Sequence, residues 1–592
     1  MKVFDANISY RVSFYLNENL KSVASFEMAN HIINETFGII HFFGNNEEME
    51  TLQTINSGKQ GTLNEVNRAE YGDFQTNAEL ADKVIVHLLS RNISPDIVVE
   101  PTCGTGNFII AALKIFQGIK NIFGFEIFGP YVWETKFNII DYFLDNPERE
   151  KPQISICHCN VFDFDFRQIA RNYSSADILV IGNPPWVTNS KLGCLNSANL
   201  PAKTNFKNHN GLDAITGKGN FDIAEFITLT MIETFQKLKG NLVLLVKDSV
   251  IRNIVSEQYK NKNSIGSLEK HFIDSKKEFN VSVGASLFYC RFNSVPEFDC
   301  QEFSFYNNRN LNLKFGWSED KFVSNLDKYI NSKKIDGVCP FIWRQGLKHD
   351  CSKVMELSRA NGHYVNGLNE KVKLEDNLVY GFLKSSDLKN NVINQTRKFV
   401  IVTQRKVGQE TDYIKNEFPE TYKYLTGHQE KFEARKSGIY KNKPVFSIFG
   451  IGDYSFEPYK VAISGFYKTY HFTLVLPQEN KPVMFDDTCY LIGFEKIEFA
   501  VYALILLNSE MTMQFLQSVT FSYAKRPFTK EVLMRIDLPE IARCISRLYL
   551  ATELDSINEM YKLNLTLNLW DEFIAEMVMK GKPFHSLGVI SK

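Results

Sequence analysis

The tetrapeptide Asn183-Pro184-Pro185-Trp186 constrains this chain more than any other feature. It follows Gly182 and the short apolar run 176–181, which is typical of a buried β-strand. Because neither proline has an N–H group, the loop cannot extend a sheet ladder or begin a regular helix. We therefore expect the Asn183 carboxamide and the Pro184 carbonyl on a stiff loop at a strand end, beside an aromatic face. Two acceptors placed in this way suit a planar exocyclic amine.

A glycine-bearing turn lies upstream of this loop. Residues 96–100 form an apolar strand candidate, and residues 107–116 have the apolar spacing of a helix. Gly104 and Gly106 between them permit a sharp turn and a close approach to a ligand. Glu100 ends the strand, where dehydrogenase fingerprints require no acid. A second strand candidate, 121–127, contains Glu126 at about the distance from the turn expected of an acid that binds ribose hydroxyls.

A third strand candidate, 154–162, ends in polar groups. Asn160 and the nearby Asp163 are both candidates to bind the amino edge of an adenine, and position favours Asn160. Cys157, His158 and Cys159 do not predict a metal site, because strand alternation turns His158 away from both cysteines. No second cysteine pair follows at zinc-finger spacing, so we expect no metal.

The content and order of these motifs resemble the gamma-class, Taq-like N6-adenine DNA methyltransferases. That family has a Phe-x-Thr motif before the first strand, which Phe74-Gln75-Thr76 matches, and a Glu-Pro-x-Cys-Gly-x-Gly-x-Phe loop, which residues 100–108 match. An Asn-Pro-Pro-aromatic motif and a long target-recognition region follow in the same order. The chain departs from the family in having Asn77 in place of a frequent proline, Asn160 where Asp is usual, and Trp186 where Tyr or Phe is more common.

The resemblance implies that S-adenosyl-L-methionine is the cofactor. By resemblance, Phe74 and Thr76 contact its methionine part, Glu126 binds its ribose, and Asn160 or Asp163 binds its adenine. The same pocket is lined by Glu100, Thr102, Gly104 and Gly106.

The resemblance also implies that the substrate is an adenine flipped out of duplex DNA. Asn183 and the Pro184 carbonyl would accept hydrogen bonds from its amine, in the rigid loop that Pro185 completes. Trp186 and Phe279 would stack on the two faces of its ring. Phe279 is chosen because it lies just ahead of the last strand candidate of the catalytic half. We expect residues 279–292 to form a hairpin of two strands.

Strand and helix patterns alternate up to residue 292, which predicts an α/β fold: a doubly wound, Rossmann-like methyltransferase domain. We expect an N-terminal extension over 1–66, the catalytic domain over 67–310, and a mixed α+β target-recognition domain with C-terminal helices over 311–592. The N-terminus lacks a signal-peptide layout, and the apolar run 499–507 is too short to span a bilayer. We expect a soluble, cytoplasmic monomer, and ten cysteines without paired metal spacing fit a reducing compartment.

The net charge of −1 means that any contact with DNA phosphates must be a local patch. Residues 395–445 contain eleven Lys or Arg against six Asp or Glu, interleaved with tyrosines. This mixture suits phosphate contacts and base reading. The DNA-binding candidates are Arg397, Lys398, Arg405, Lys406, Arg435 and Lys436.

Several alternatives stay open at this point. N4-cytosine methylation uses a similar loop, although Ser more often replaces the Asn there. Protein-glutamine and ribosomal-RNA methyltransferases share the loop but rarely carry so long a C-terminal half. A non-catalytic, methyltransferase-like DNA-reading subunit is the rival of a different class. No nuclease motif is evident, so a restriction endonuclease or other defence-system partner would be a separate chain.

Overall fold

A largely parallel sheet organises the first of the two units into which the chain divides, Met1–Phe322 and Val323–Lys592. The structure, a computed structural model, describes residues 6–53, 75–187, 222–307, 309–466, 470–521 and 526–581. The strands of this sheet lie in the order β1-β4-β3-β2-β5-β6-β8-β7-β9-β10-β11. They are β1 Ile39–Ile40, β2 Ile97–Glu100, β3 Asn121–Glu126, β4 Gln153–His158, β5 Ile178–Gly182, β6 Gly240–Lys247, β7 Ile265–Phe272, β8 Ala285–Phe292, β9 Asp299–Ser304, β10 Arg309–Ser318 and β11 Lys321–Val323.

The helices of this unit connect or cover those strands. They are α1 Tyr10–Leu20, α2 Phe26–Phe37, α3 Asn46–Gln53, α4 Ala78–Ser90, α5 Asn107–Ile115, α6 Gly129–Asp145, α7 Arg167–Asn172, α8 Ile223–Phe235, α9 Asp248–Asn261 and α10 Ser275–Phe279. Strands β2, β3, β4, β5 and β6 pair in parallel, and the order reverses between β2 and β5. Ligands of such sheets bind beyond the carboxyl ends of the strands at this switch point. The predicted doubly wound fold is confirmed.

The residues that precede the cofactor motifs belong to the same sheet and unit. Strand β1 pairs in parallel with β4, with Ile39 opposite Ile154. Lys136 of α6 is buried and donates from Nζ to the carbonyl of Phe42 at 2.7 Å. Burial lowers the pKa of Lys136 to about 8. The segment 6–53 is therefore joined to the sheet at β4 and packed against α6.

One local prediction was wrong. Residues 279–292 do not form a two-stranded hairpin, because Phe279 ends the short helix α10 and only β8 follows it. The antiparallel partner of β8 is β7, upstream of that helix. Asn280 ends α10 in the left-handed region, at φ 55°, which places a break where the alternation of the sequence suggested a continuous strand.

The second unit contains two smaller sheets and a helical part. Its strands lie in the orders β12-β22-β19-β20-β17 and β15-β14-β13-β18-β16-β21. They are β12 Arg344–Gln345, β13 Glu356–Ala360, β14 His363–Asn366, β15 Lys371–Val372, β16 Val379–Leu383, β17 Val392–Ile393, β18 Lys398–Ile401, β19 Tyr459–Ser464, β20 Thr473–Val475, β21 Met484–Phe485 and β22 Cys489–Phe494.

The helices of the second unit are α11 Leu326–Ser332, α12 Ser352–Met355, α13 Tyr413–Glu417, α14 Pro419–Gly427, α15 Gln429–Glu433, α16 Ile497–Leu507, α17 Glu510–Val519, α18 Lys530–Leu533, α19 Leu538–Cys544, α20 Arg547–Tyr561 and α21 Trp570–Lys580. Helix α16 is buried from Phe499 to Leu507 at the centre of one hydrophobic core. No single helix of the described residues is long and apolar enough to cross a bilayer, although α16 and α17, bent by 60°, pass that test as a pair.

Candidate functional site

The glycine turn between β2 and α5 is held from three directions. Gly104 donates its N–H to Glu126 Oε2 at 2.9 Å, and Thr135 Oγ1 of α6 donates to the Gly104 carbonyl at 2.8 Å. Asn138, one helical turn further along α6, donates from Nδ2 to the Thr105 carbonyl at 2.9 Å. Gly106 has φ 82°, and a Cβ there would lie 2.7 Å from Thr135 Cγ2. The turn is thus fixed in a form that requires glycine.

Residues 75–77 lie over this turn. A Cβ at Gly104 would approach Gln75 Oε1 to 2.4 Å, and Asn107 donates from Nδ2 to the Thr76 carbonyl at 2.9 Å. Asn77 is the N-cap of α4 and accepts from the Leu80 N–H at 2.7 Å. This capping bond accounts for an asparagine where the family more often has proline. Phe74 lies outside the described residues.

Three buried polar atoms beside the turn lack a hydrogen-bond partner among the described residues. They are Thr76 Oγ1, Glu100 Oε2 and Thr102 Oγ1. Glu100 is 2% exposed, and its burial, followed by the proximity of Glu126, raises the pKa of its carboxyl well above the usual range. Buried polar groups are normally satisfied, so these atoms indicate a site built for a polar, cationic ligand.

The candidate ribose and adenine ligands lie at the ends of the neighbouring strands. Glu126 accepts from Gly104 through Oε2 and from the Phe128 N–H through Oε1 at 2.8 Å. Asn160 Oδ1 accepts from the Phe162 N–H at 3.1 Å, which fixes its side chain in a local turn. Asn160 is half-buried and Asp163 is exposed. The choice between them as adenine ligand stays a prediction.

The proline loop begins directly beside this pocket. A Cβ at Gly182 would lie 3.4 Å from Glu100 Cγ, so the residue before Asn183 lies next to the Glu100 side chain. Asn183 is half-buried and its carboxamide oxygen is shielded from solvent. Trp186 is 6% exposed and donates from Nε1 to the Leu245 carbonyl of β6 at 3.2 Å. The loop is therefore anchored to the strand next to it.

The structure brings Trp186 and Phe279 together, as predicted from the sequence, but in a different arrangement from a sandwich. Their ring centroids lie 5.0 Å apart at an interplanar angle of 66°, an edge-to-face contact. A base between two parallel rings needs a separation of about 7 Å, twice the usual carbon contact distance. The sandwich stays a prediction, and it requires the two rings to part.

Sequence reasoning missed the residues that grip the turn from the side. Thr135 and Asn138 belong to α6, and Gln75 stands within the Phe-x-Thr motif without a role of its own. The available signal was the three-residue spacing of Thr135 and Asn138, two uncharged polar residues in a helix whose other polar residues are mostly charged; Thr135 is fully buried.

The DNA-binding candidates differ in how their charges are used. Arg397, Arg405, Lys406 and Lys436 are exposed. Lys398 lies 3.5 Å from a Glu356 carboxylate oxygen. The Arg435 guanidinium donates to the carbonyls of Phe432, Val445 and Ser447. It also lies 3.7 Å from the centre of the Tyr440 ring, and burial lowers its pKa. Arg435 is thus tied into its own loop.

A parallel sheet with a glycine turn, an acid at the next strand end and an Asn-Pro-Pro-Trp loop defines a Rossmann-like methyltransferase site. Residues 61–273 match the family model described as N-6 DNA Methylase. The chain is 40% identical over 495 residues to the Type II methyltransferase M.NspV of Nostoc sp. (strain ATCC 29411 / PCC 7524), a match that covers 81% of this chain and 99% of the relative. The chain belongs to the gamma-class N6-adenine DNA methyltransferases.

Among solved structures, the fold is similar to that of the Type IIL restriction-modification enzyme MmeI in complex with DNA. The TM-score is 0.54 at 12% sequence identity, over 98% of this chain and 94% of that one. At this identity the likeness concerns the fold, and it extends over nearly the whole chain. The predicted resemblance and cofactor class are confirmed, and the unpartnered atoms of Thr76, Glu100 and Thr102 fit the cationic methionine part of S-adenosylmethionine.

Proposed function

We propose that this enzyme methylates N6 of an adenine flipped from duplex DNA, through the loop from Asn183 to Trp186. One observation supports the proposal: Gly182, directly before Asn183, lies beside the side chain of Glu100, whose buried Oε2 has no hydrogen-bond partner among the described residues. The pocket for the methyl donor and the acceptors for an amine are therefore adjacent.

The chemistry needs positioning more than acid or base catalysis. When bound, S-adenosylmethionine supplies a methyl group already activated by a sulfonium. Asn183 and the Pro184 carbonyl accept hydrogen bonds from the two amine hydrogens. These bonds direct the nitrogen lone pair out of the ring plane. Holding the amine and methyl group in this geometry converts the encounter into an intramolecular step, which supplies roughly 7–11 kcal/mol in favourable cases.

Individual cofactor roles follow the contacts of the pocket. Glu100 would meet the ammonium, Thr76 and Thr102 the polar groups of the methionine part, and Glu126 the ribose hydroxyls. Phe74 would complete the methionine pocket, although it lies outside the described residues. The exposed basic residues of 397–436 would contact DNA phosphates, and the second unit would read the target sequence.

We further propose that the enzyme is the modification component of a restriction-modification or other defence system and acts on DNA in the cytoplasm, as a monomer. The name of its relative, a Type II methyltransferase, supports this assignment. A cognate endonuclease would be a separate chain.

The deciding experiment treats unmethylated genomic DNA with the purified chain and S-adenosylmethionine, followed by nucleoside mass spectrometry and single-molecule sequencing. N6-methyladenine at one recurring sequence is the expected product. N4-methylcytosine alone would overturn the base assignment, and methylated RNA or protein with unmodified DNA would overturn the substrate class.

A further inference from the structure

A buried ion pair stands where the chain returns to the sheet after the proline loop. Asp222 precedes α8, and Lys247 is the last residue of β6; their carboxylate and ammonium are in direct contact, with side-chain exposures of 10% and 15%. Asp222 is also the N-cap of α8, accepting from the Ala224 N–H at 3.1 Å. The pair thus links the start of α8 to the carboxyl end of β6.

This ion pair lies at the same end of the strands as the proline loop, their carboxyl end. In the parallel register of β5 and β6, Gly182 is opposite Leu244, so the residues after Gly182 run alongside Leu245 to Lys247. Trp186 is bonded to the Leu245 carbonyl, two residues before Lys247. Val187 directly follows Trp186, and Ile223 directly follows Asp222. The Ile223 N–H donates to the Val187 carbonyl at 2.9 Å. The loop, α8 and β6 therefore meet within a few residues of one another.

Burial of such a pair has a cost that a purely structural contact would avoid. Desolvation raises the pKa of Asp222, and the Lys247 charge offsets only part of that effect. Apolar residues of similar volume often serve equally well or better for stability alone. A buried charge pair specifies geometry, because neither group tolerates the loss of its partner.

We propose that Asp222 and Lys247 are positioning residues for methyl transfer, which hold the exit of the Asn183–Trp186 loop in register with β6. The inference rests on the proposed role of that loop. The pair touches neither the reacting amine nor the methyl group; it acts through Val187, Ile223 and the Leu245 carbonyl. Loosening it should misplace the amine acceptors while leaving the cofactor pocket of β2 and β3 intact.

The chain offers a control ion pair, more exposed than that of Asp222 and Lys247, at the opposite end of the same two strands. Asp177 directly precedes β5 and Lys239 directly precedes β6, and their charged groups lie 2.8 Å apart. Lys239→Met therefore removes a β5–β6 ion pair far from the proline loop. Lys247→Met makes the same chemical change at the loop itself.

The test measures the maximal methylation rate, cofactor affinity and thermal midpoint of Lys247→Met, Asp222→Asn, the double variant and Lys239→Met. Asn retains the capping oxygen of Asp222 and removes only the charge. We expect the maximal rate to fall on the order of 10²-fold in Lys247→Met, the loss typical of a reacting group misplaced by about 1 Å. Cofactor affinity should be unchanged, and Lys239→Met should match the wild type in rate.

The double variant separates positioning from folding. Because the double variant has no unpaired Asp222 charge left in the interior, its thermal midpoint should recover. Its rate should stay low, because the link between α8 and β6 is still missing. Lys247→Arg, which restores a cation, should recover part of the rate. A rate that recovers together with the midpoint, or a Lys247→Met variant as fast as Lys239→Met, would overturn the inference. If the wild-type chain methylates no DNA, that result would instead contradict the proposed function, and with it the proposed role of the ion pair.

Discussion

The carboxylate of Glu100 is the residue whose environment most clearly calls for a ligand. It is buried at the end of β2, its pKa is raised by burial, and Oε2 has no partner among the described residues. A bound ammonium would favour the charged form and return the pKa toward its usual range. At a pH below this raised pKa, the free chain holds a proton on Glu100 that leaves as the cofactor binds.

We expect proton release when S-adenosylmethionine or S-adenosylhomocysteine binds, and an affinity that rises with pH until the free carboxyl is ionised. Calorimetry in buffers of different ionisation enthalpy measures the released proton directly. Glu100→Gln should abolish the release and weaken binding. Buffer-independent heats in the wild type would contradict the assignment.

Binding and chemistry should separate between Glu126 and Asn183. Asn183→Ala should abolish turnover with near-normal cofactor affinity, because in the proposed mechanism its carboxamide contacts the target amine and not the cofactor. Glu126→Ala should weaken cofactor binding by about 1.5–3 kcal/mol through the loss of charged hydrogen bonds. Calorimetry and a methylation assay on both variants test this division, which equal losses of cofactor affinity would refute.

At the scale of an element, helix α4 depends on its N-cap residue. Asn77 caps the helix that directly follows residues 75–77, which lie over the glycine turn. Asn77→Ala should cost about 1 kcal/mol of stability, the usual value for a lost N-cap, whereas Asn77→Ser should cost little. Denaturant titration compares the two, and an alanine variant as stable as the serine variant would show that the cap is not needed.

Acid should loosen the contact of α4 with β7. His87 and His271 have ring centroids 4.9 Å apart, and burial, followed by the charge of His271, lowers the pKa of His87 to about 4. The usual pKa of a histidine is near 6.5. Between that pH and about 4, His87 therefore binds a proton in the unfolded chain but not in the folded chain. The contribution of His87 to the free energy of unfolding is therefore fully present above about pH 6.5 and is lost as the pH falls toward 4.

The prediction for this contact is a smaller loss of stability on acidification in His87→Leu than in the wild type. Urea midpoints at pH 7.5 and pH 5 measure it, with His158→Leu, a change at an exposed histidine, as control. Equal acid sensitivity in the wild type and His87→Leu would assign the effect elsewhere, such as to His349 in the second unit, whose burial lowers its pKa to about 4.

The elements of the catalytic half were predictable where a strong local pattern coincides with burial. Strands β2 to β5 and helix α5 follow from apolar spacing and from glycine and proline positions. The hairpin at 279–292 was wrong because a left-handed residue, Asn280, interrupts an alternating sequence. Thr135 and Asn138 could not be assigned, because their contacts depend on how α6 packs on the turn.

At the scale of the whole molecule, a net charge of −1 leaves DNA affinity to a local surface. Because Arg397, Lys406 and Lys436 are exposed, reversing them to glutamate should reduce DNA affinity and flatten its salt dependence, the signature of lost counterion release. Fluorescence anisotropy at several salt concentrations measures both quantities. Cofactor binding should not change.

Arg435 serves as the contrasting position in that experiment. Because its guanidinium is committed to backbone carbonyls and to Tyr440, Arg435→Met should destabilise the second unit instead of only weakening phosphate contacts. If the exposed reversals leave both affinity and salt slope unaltered, the recognition surface lies elsewhere. The recognised sequence itself depends on loop geometry, which neither composition nor spacing determines.

The division by function into 1–66, 67–310 and 311–592 stays a prediction, but the place of the first segment has a practical consequence. A catalytic fragment trimmed to begin at residue 75 would lack β1 and uncover the hydrogen-bonding edge of β4. It would also expose the aromatic cluster around Trp133 and leave the Lys136 ammonium without its carbonyl acceptor. Such bare edges recruit strands from other molecules. Self-association, more than loss of the methyl-transfer residues, should limit any minimal version of this enzyme.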